Sequence, residues 1–496
     1  MKNRVVIAGW GQITQGKEQT ENILDPLELM TEVSLRAGDE ARSADILRNL
    51  DGVMVVRVLS KYYASAARQL AEKIGATPRF ASVSNIGGNS PQLLVNKAAG
   101  MIARRELETV LIAGAEAYYP RGGKKEPENA LFQGVPDGYQ GDGTVGSTES
   151  ETIHGMAMPI HGFPLYETAL WAASGLELAA YQEQIGNLWA TFSEVAATHP
   201  NSWTNTPRTV EEIITPTGTN RLISFPYTKF MNPLISADLG AAIILMSEEK
   251  ARQYAQGKKR PVYFLGGGYA EDRQRFLIQK SDFISSPPLK AAVRKALQRS
   301  HLSLDEIECF DIYSCFPCAV SVARRMLALK NDDPRALTLT GGLGFFGGPG
   351  NNYSLHAVAT LADAIANGKN DNGMITSLGW FMHKHAVGVY SAFPADTDIE
   401  YHDLEDEKEY VAGEEPVEII EQASGKGVIE TYTVIYSRNG APLYAIIYGK
   451  TDQGLRFVAQ THSDPNVFDT LTTRNQVGRS VHLKYDAQKN RNIAEL

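Results

Sequence analysis

Short apolar runs rich in valine and isoleucine, each with glycine at or near its end, recur along the first quarter of the chain. They are RVVIAGWGQ (4–12), LDGVMVVRV (50–58), FASVSNIGGNS (80–90) and ETVLIAGAEAY (108–118). Runs of this length and composition predict buried strands. Helical spacing fills the gaps between them. DPLELMTEVSLRAGDEA (25–41) carries apolar residues at helical intervals behind an Asp25-Pro26 cap and first-turn pair. PQLLVNKAAGMIARR (91–105) opens with proline directly after Ser90. Strands alternating with helices predict a layered α/β fold.

The series then returns in the same order. RPVYFLGGGY (260–269), IECFDIYSCF (307–316), ALTLTGGLGFFGGPGNNYSLHAVATLADAIANG (336–368) and NGMITSLGWF (372–381) follow their counterparts by about 260 residues. This predicts a duplication. A fifth pair, ISADLGAAIILMSEE (235–249) and KHAVGVYSAF (384–393), is offset by only about 148 residues, so an insertion of about 110 residues belongs to the first copy. Its start, 122–152, is polar and Gly-rich and predicts mostly loop. Two helices are expected after it, over 166–187 and 188–200. A long insertion above a sheet usually covers a site.

Past Pro394 the character changes. HDLEDEKEYVAGEEPVE (402–418) reads as an acidic linker or solvated surface segment. Residues 418–461 read as short strands, with Arg438-Asn439-Gly440 as a hairpin turn. A small β-barrel, of the oligonucleotide/oligosaccharide-binding type, is expected here, and the polar segment from Asp464 is expected to wrap the surface. The resulting division is 1–259 for the first half, with its loop domain at about 120–232, then 260–397 for the second half and 398–496 for linker and barrel.

Composition removes several functional classes. Of 496 residues, 43% are hydrophobic, which supplies more than one core. No apolar run is long enough to span a bilayer, and the first apolar stretch is too short for a signal peptide. A net charge of −9 without a basic block argues against a nucleic-acid partner. Three cysteines, Cys309, Cys315 and Cys318, cannot build a disulfide framework, so a reducing cytoplasm is the expected compartment. No His/Asp/Glu cluster has metal spacing, and no metal is expected. Gly266-Gly267-Gly268 lacks the helix signal that a dinucleotide-binding turn needs.

Two similar five-strand halves with an inserted loop domain resemble the thiolase superfamily over about residues 3–394. Asn85-Ile86-Gly87-Gly88-Asn89-Ser90-Pro91-Gln92 stands at the thiolase Cys-x-Ser-Gly loop. Gly347-Gly348-Pro349-Gly350 stands at the Gly-His-Pro loop, Tyr313-Ser314-Cys315-Phe316 at the Asn-Glu-Ala-Phe loop, and Ser377-Leu378-Gly379 at the last Cys-x-Gly loop. THPNSW (198–203) is similar to the loop-domain helices of sterol-carrier-protein thiolases. In kind, the chain resembles the thiolase-like proteins of acetyl-CoA acetyltransferase type, some of which carry an added C-terminal β-domain. The resemblance implies a duplicated five-layer α/β fold, two βαβαβαββ-type halves, with a small barrel appended. It also implies acyl transfer with carbon–carbon bond formation or cleavage, a coenzyme A thioester as substrate or ligand with no covalently bound cofactor, and a homodimer or tetramer.

The catalytic identities depart from that pattern. The nucleophile position is Gly87 or Gly88, the loop histidine is Gly348, the second cysteine is Ser377 and the oxyanion-loop residue is Tyr313. Loss of a nucleophile removes many orders of magnitude from such a mechanism. What remains is a glycine frame. Gly87, Gly88, Asn89 and Ser90 precede a helix N-terminus, where backbone N–H groups suit a thioester oxygen or phosphate. Gly347, Gly348, Asn351 and Asn352 do the same from the other half, and Tyr313 joins this substrate-binding set. The alternative is that these glycines only let two helices approach.

Cys315 is the best remaining nucleophile, before a helix whose dipole favours a thiolate. With Cys318 it forms a lone Cys-x-x-Cys, so redox chemistry and plain packing both stay open. Ser377, His385 and His356 complete the catalytic candidates, with His383 as a further base. His154 and His161 lie in the insertion, as lid or surface residues. Two readings follow: an acyl-CoA-binding, acetyl-CoA-acetyltransferase-like protein, or a non-catalytic subunit whose partner supplies the missing chemistry.

Overall fold

The computed structural model describes residues 4–42, 44–120, 134–139, 146–254, 260–395, 409–411 and 417–496. Most of the acidic segment 402–418 and much of the Gly-rich stretch 122–152 lie outside them.

The first half contributes β1 (Val5–Thr14), β2 (Gly52–Val55), β3 (Phe80–Val83) and β4 (Thr109–Ala117). Inside the insertion run β5 (Leu222–Ser224) and β6 (Tyr227–Thr228), and β7 (Asp238–Ser247) closes the half. The second half brings β8 (Val262–Asp272), β9 (Cys309–Asp311), β10 (Asn372–Gly379) and β11 (Lys384–Ser391), followed by β12 (Glu409–Val411). Apart from β5 and β6, which join the C-terminal sheet, they form one sheet in the order β3-β2-β4-β7-β1-β8-β11-β10-β9, with β12 beside β8. The two halves meet where β1 pairs antiparallel with β8, Val6 opposite Tyr263. From that seam outwards, both halves run first, fifth, fourth, second strand. The duplication read from the sequence is therefore present as a repeated strand order.

Two central helices, Ser90–Ala103 and Tyr353–Ala366, pack on each other and against strands of both halves. Leu94, Val95, Ala98, Leu355, Val358 and Ala362 meet Ile112, Ile243 and Phe264 in one core. Outer helices Pro26–Glu40 and Pro287–Ser300 cover the opposite sheet faces. Helix, half-sheet, central pair, half-sheet and helix make the five layers.

Three sequence expectations change. The glycines of GWG and GGG lie in the interiors of β1 and β8, not at the ends of the strands. A methyl group on Gly11 would lie 2.3 Å from the Val33 carbonyl, and one on Gly268 1.9 Å from that of Ala292, so each lets an outer helix touch its strand. The second half has no full third strand. Residues 336–340 make only a bridge, Ala336 to Cys309, beside β9. The helix pair of the insertion breaks at Gly175, not near Asn187. The helices are Pro159–Ser174 and Leu178–Thr198, and Gly175 takes the left-handed conformation (φ 68°) that ends a helix.

The C-terminal barrel consists of β13 (Gly425–Tyr436), β14 (Pro442–Thr451), β15 (Arg456–Gln460), β16 (Ser480–Asp486) and β17 (Arg491–Glu495). Its strands close in the order β13-β14-β15-β17-β16-β13, with β15 and β17 parallel. The hairpin falls at Asn439-Gly440 as predicted (Gly440 φ 85°). The segment from Asp464 does not wrap the surface. It supplies a helix, Pro465–Thr473, and two strands that complete the barrel, Val481 and Leu483 pointing inward between exposed Ser480 and His482. Polar outward positions on a half-buried strand hide the period of two in a short run.

The barrel is bound to the body by buried polar groups. The Tyr448 hydroxyl and the Ile278 amide donate to Glu151 at 3.0 and 2.8 Å. The Asn492 amide donates to His154 Nε2 at 2.8 Å, and His154 Nδ1 meets the Ser150 carbonyl. Arg456, fully buried, pairs with Glu430 at 2.7 Å and donates to the Lys280 carbonyl. His154 is thus an interdomain contact and not a lid residue, while His161 is partly buried at the start of its helix.

Candidate functional site

The strand-end loops named above converge at the head of the two central helices. Gly87 (φ 143°) accepts no ordinary side chain, and its amide donates to Asn351 Oδ1 at 2.9 Å. Asn351 Nδ2 in turn donates to the Arg57 carbonyl at 2.9 Å. Ser354 Oγ donates to the Gly88 carbonyl at 2.9 Å, and Ser90 Oγ donates to the Asn85 side chain at 2.6 Å. Asn352 Nδ2 donates to the Gly114 carbonyl at 2.7 Å. The two halves are therefore stitched together across the pseudo-twofold, at the loop that stands at the thiolase nucleophile position.

That place is filled. A methyl group on Gly88 would lie 2.0 Å from the Tyr313 hydroxyl oxygen and 2.8 Å from the Leu378 carbonyl. Tyr313 is held by its amide, which donates to Thr376 Oγ1 at 3.1 Å, and by an edge-to-face contact with Tyr353 at 5.5 Å. Burial pushes its phenol well above the ordinary range. Asn89 closes the remaining space: a methyl group on Gly379 would lie 2.2 Å from its Oδ1. Asn89 is fully buried, and among the described residues neither of its side-chain polar atoms has a hydrogen-bond partner.

The nucleophile and base candidates are buried in unreactive states. Cys315 does not gain from the helix Pro317–Met326. Burial pushes its thiol up, and a desolvated thiolate outweighs the partial charge of a helix end. Cys318 is raised well above its usual value by burial and the nearby Glu167, and its Sγ faces the Phe163 carbonyl at 3.3 Å. Phe316 stacks on Phe163 at 4.5 Å and on Tyr227 at 5.7 Å, sealing the Cys-x-x-Cys turn. All three cysteines are free and buried.

Ser377 Oγ donates to the Ala386 carbonyl at 2.8 Å. His385 meets Ser286 Oγ at 2.9 Å, and burial beside Lys280 lowers it to about 3. His356 lies beside the second glycine loop but is held within the fold. Its Nδ1 meets Gln12 Oε1 at 2.9 Å, its ring packs on Phe346 at 5.1 Å, and burial lowers it to about 3. His383 is fully buried, and burial with surrounding cations lowers it well below the usual imidazole range. Each is a neutral imidazole near pH 7 with little affinity for a proton. In the other loop, Gly347 and Gly348 pack on Leu239 and Pro233 of the first half.

One polar network was not read from the sequence. Asp311, buried at the end of β9, accepts from the Leu339 and Thr340 amides, from the Thr338 and Thr340 hydroxyls and from Tyr353. A lone aspartate inside the apolar run ECFDIY was the available signal. Among the described residues no group of His, Cys, Asp and Glu is placed to hold a metal, and no helix is long and apolar enough to cross a membrane.

A duplicated half with strand-end loops around paired central helices is the thiolase fold. The chain is similar over 79% of its length to the acetyl-CoA acetyltransferase of Syntrophomonas wolfei (14% identity, 100% of that chain, TM-score 0.58). It is similar over the same share to an Ltp2-ChsH2(DUF35) aldolase structure (17% identity, 98% of that chain, TM-score 0.60). Residues 406–488 match the additional C-terminal domain of thiolase-like protein type 1. A monomeric SCP2-thiolase-like protein type 1 from Mycobacterium smegmatis is 33% identical, with 99% of both chains covered and a TM-score of 0.84. The chain belongs to the SCP2-thiolase-like protein type 1 family. No curated protein sequence matches it.

Proposed function

We propose that this protein binds a ligand of the acyl-CoA thioester class and carries out no thiolase turnover. The observation that carries the second half of this reading is the Tyr313 hydroxyl in the volume a nucleophile side chain at Gly88 would need. A condensing enzyme requires that nucleophile, a base to activate it and an acid to finish the reaction. Here the nucleophile is glycine, and the imidazoles and thiols nearby are held in their neutral forms by burial.

The first half of the reading is supported by Asn89. A buried amide with both atoms unpaired costs about 1–3 kcal/mol for each lost partner. A thioester carbonyl entering between Gly87 and Gly379 with a shift of Tyr313 would give it one. The test is calorimetry with coenzyme A and acetoacetyl-CoA alongside a thiolysis assay. Heat that disappears in Asn89→Leu, without thiolysis, is the expected result. Thiolysis by the wild type, or no heat from either compound, overturns it.

In place of a homodimer, we read the chain as a monomer. The outer edge of β3 is already covered by the chain itself: the Val83 amide donates to the Gly138 carbonyl at 2.9 Å, beside a bridge from Val83 to Tyr139. The relative from M. smegmatis is described as monomeric. The barrel's strand order, with a helix between its third and fourth strands, supports the oligonucleotide/oligosaccharide-binding type. Strand β15, which such folds use for ligands, is buried against the body, so this barrel acts as an intramolecular clamp. The reading as a subunit awaiting a catalytic partner remains second, since the Ltp2-ChsH2(DUF35) aldolase shares the fold.

A further inference from the structure

Both half-sheets end at a third-strand segment, and only the first is covered. In the first half β3 lies outside β2, and residues 134–139 of the insertion run along its outer edge: the Val83 amide donates to the Gly138 carbonyl at 2.9 Å. In the second half the equivalent segment is 336–340, outside β9, with Ala336 bridged to Cys309. The insertion belongs to the first copy only, so the duplication supplies no strap here. The inner side of this segment is paired: the Ala336 and Leu337 carbonyls accept from the Phe310 and Ile312 amides at 2.8 and 2.9 Å. Among the described residues the Leu337 amide and the Arg335 and Thr338 carbonyls enter no hydrogen bond.

The uncovered segment forms one wall of a groove of about 650 Å³, and helix Leu178–Thr198 forms the other. That helix buries Tyr181, Ile185, Trp189 and Ala196 in the insertion's own core. The stripe Ala180, Gln184, Leu188, Thr191 and Val195 borders the groove. Leu188, Phe192, Val195 and Leu337 make its floor apolar. Gln184, Thr191 and Ala336 are exposed along its rim, so it is open along its length and not closed over as small-molecule sites are. At ~1.5 Å per residue, the helix from Ala180 to Val195 runs about 22 Å. That is the length of about six or seven residues of extended chain.

We propose that this groove docks an extended peptide of a partner protein, added as a strand outside 336–338 and carrying apolar side chains at alternate positions. The first half shows what such an edge takes. The strap over β3 is extended chain, joined through its backbone and bridged in parallel from Tyr139 to Val83. A peptide in the second half finds the Leu337 amide and the Arg335 and Thr338 carbonyls open to it. Its side chains at every second position lie on the apolar floor, and those between them face solvent. The edge is short. Pro334 bounds it on one side, with no amide to give. On the other, the Leu339 and Thr340 amides already donate to Asp311. A few backbone bonds therefore set the register and the floor supplies affinity, while the shortness limits the aggregation that a long open edge invites. The site is separate from the thioester reading above and does not depend on it.

The experiment selects from a random dodecapeptide phage library on the full chain, with Thr191→Trp as the counter-selection. Thr191 is an exposed helix position, and tryptophan there fills the groove. The enriched peptide is synthesised plain and with its backbone N-methylated at alternate residues, once in each register. It is expected to carry apolar residues at alternate positions and to bind Thr191→Trp about tenfold more weakly or worse. N-methylation in one register is expected to cost about tenfold, and in the other little, because only one set of amides faces the edge. Hydrogen exchange over 335–339 is expected to slow in the complex. No peptide enriched over Thr191→Trp overturns the proposal. So does the same response to N-methylation in both registers, which makes the groove an apolar slot and not a strand edge. Protection of 335–339 that rises with protein concentration alone gives the edge to a second copy and overturns it as well. If Thr191→Trp fails to fold, the N-methylated pair and the exchange measurement decide.

Discussion

The hydroxyl of Tyr313 occupies the space in which a side chain on Gly88 would begin, 2.0 Å from the first added carbon. The two residues belong to opposite halves of the duplicated fold. Each makes sense only with the other: a tyrosine fits because the opposite loop has a glycine, and the glycine is enforced because the tyrosine is there.

This coupling can be measured. Gly88→Cys alone is expected to lose about 1–3 kcal/mol through overpacking. Tyr313→Asn alone leaves a void and loses a comparable amount. The double variant is expected to lose less than the sum of the two, with an interaction of about 1 kcal/mol or more in a denaturant-based cycle. Simple additivity would show that the two positions do not share one space. The double variant is still expected to lack thiolysis, because Ser377, His356 and His385 stay locked in hydrogen bonds within the fold.

The buried histidines predict an acid limb. The folded value for His356 is about 3 and its unfolded reference is 6.5. Between these values the unfolded chain binds the extra proton, so stability rises with pH across the window and is lost as pH falls through it. His385 adds a second proton with the same sign. Glu116 and Glu167, raised to about 7 by burial, act oppositely: they favour the folded state below their unfolded value and withdraw that support as pH rises towards 7. In His356→Leu, the slope of stability against pH between about 3.5 and 6 should fall by one proton, about 1.4 kcal/mol per pH unit. An unchanged slope in urea titrations would show that His356 is not neutral in the fold.

Thiol chemistry separates packing from redox. All three cysteines are buried, and burial raises each thiol, that of Cys309 to about 12. The native protein is therefore expected to resist Ellman's reagent at pH 8 and to react three times per chain once denatured. Rapid labelling of Cys315 or Cys318 before unfolding would reopen the nucleophile and redox readings.

Repeat order, central helices and the hairpin at Asn439-Gly440 were legible because each rests on a local signal, an apolar period or a turn residue. The break at Gly175 was missed because the apolar spacing continues across it, so only the glycine marked the end. The last two barrel strands were missed because residues such as Ser480 and His482 face solvent and dilute the apolar count. The glycine replacements could be read from residue identity alone. That Tyr313 closes the gap beside Gly88 could not, since 225 residues separate them (313 minus 88) and only the folded seam brings them together.

The barrel's attachment is testable through one hydroxyl. Tyr448 donates to Glu151, a buried carboxylate that also receives the Ile278 and Thr148 amides. Tyr448→Phe keeps the ring against Phe283 and removes one of these donors. A loss of about 1–3 kcal/mol is expected, with barrel and body still melting in one transition in calorimetry. Two separated transitions in the wild type would mean that the clamp does not couple them.

The covered edge of β3 predicts how the chain associates. An unpaired strand edge is a template for a second copy, and proteins commonly cover it. Here residues 134–139 do so, held by the Val83–Gly138 bond, by Arg57 donating to the Gly134 carbonyl at 2.8 Å and by the Asp137 amide on the Ala64 carbonyl. Gly138 has φ 73°, and a methyl group there would lie 2.9 Å from the Ala81 carbonyl. Valine at this position clashes with β3 and strains the backbone, so Gly138→Val should lift the strap. Sedimentation is expected to find a monomer for the wild type and concentration-dependent self-association for Gly138→Val. A wild-type dimer would place the subunit contact elsewhere, and a monomeric variant would show that the strap is not what keeps the edge apart.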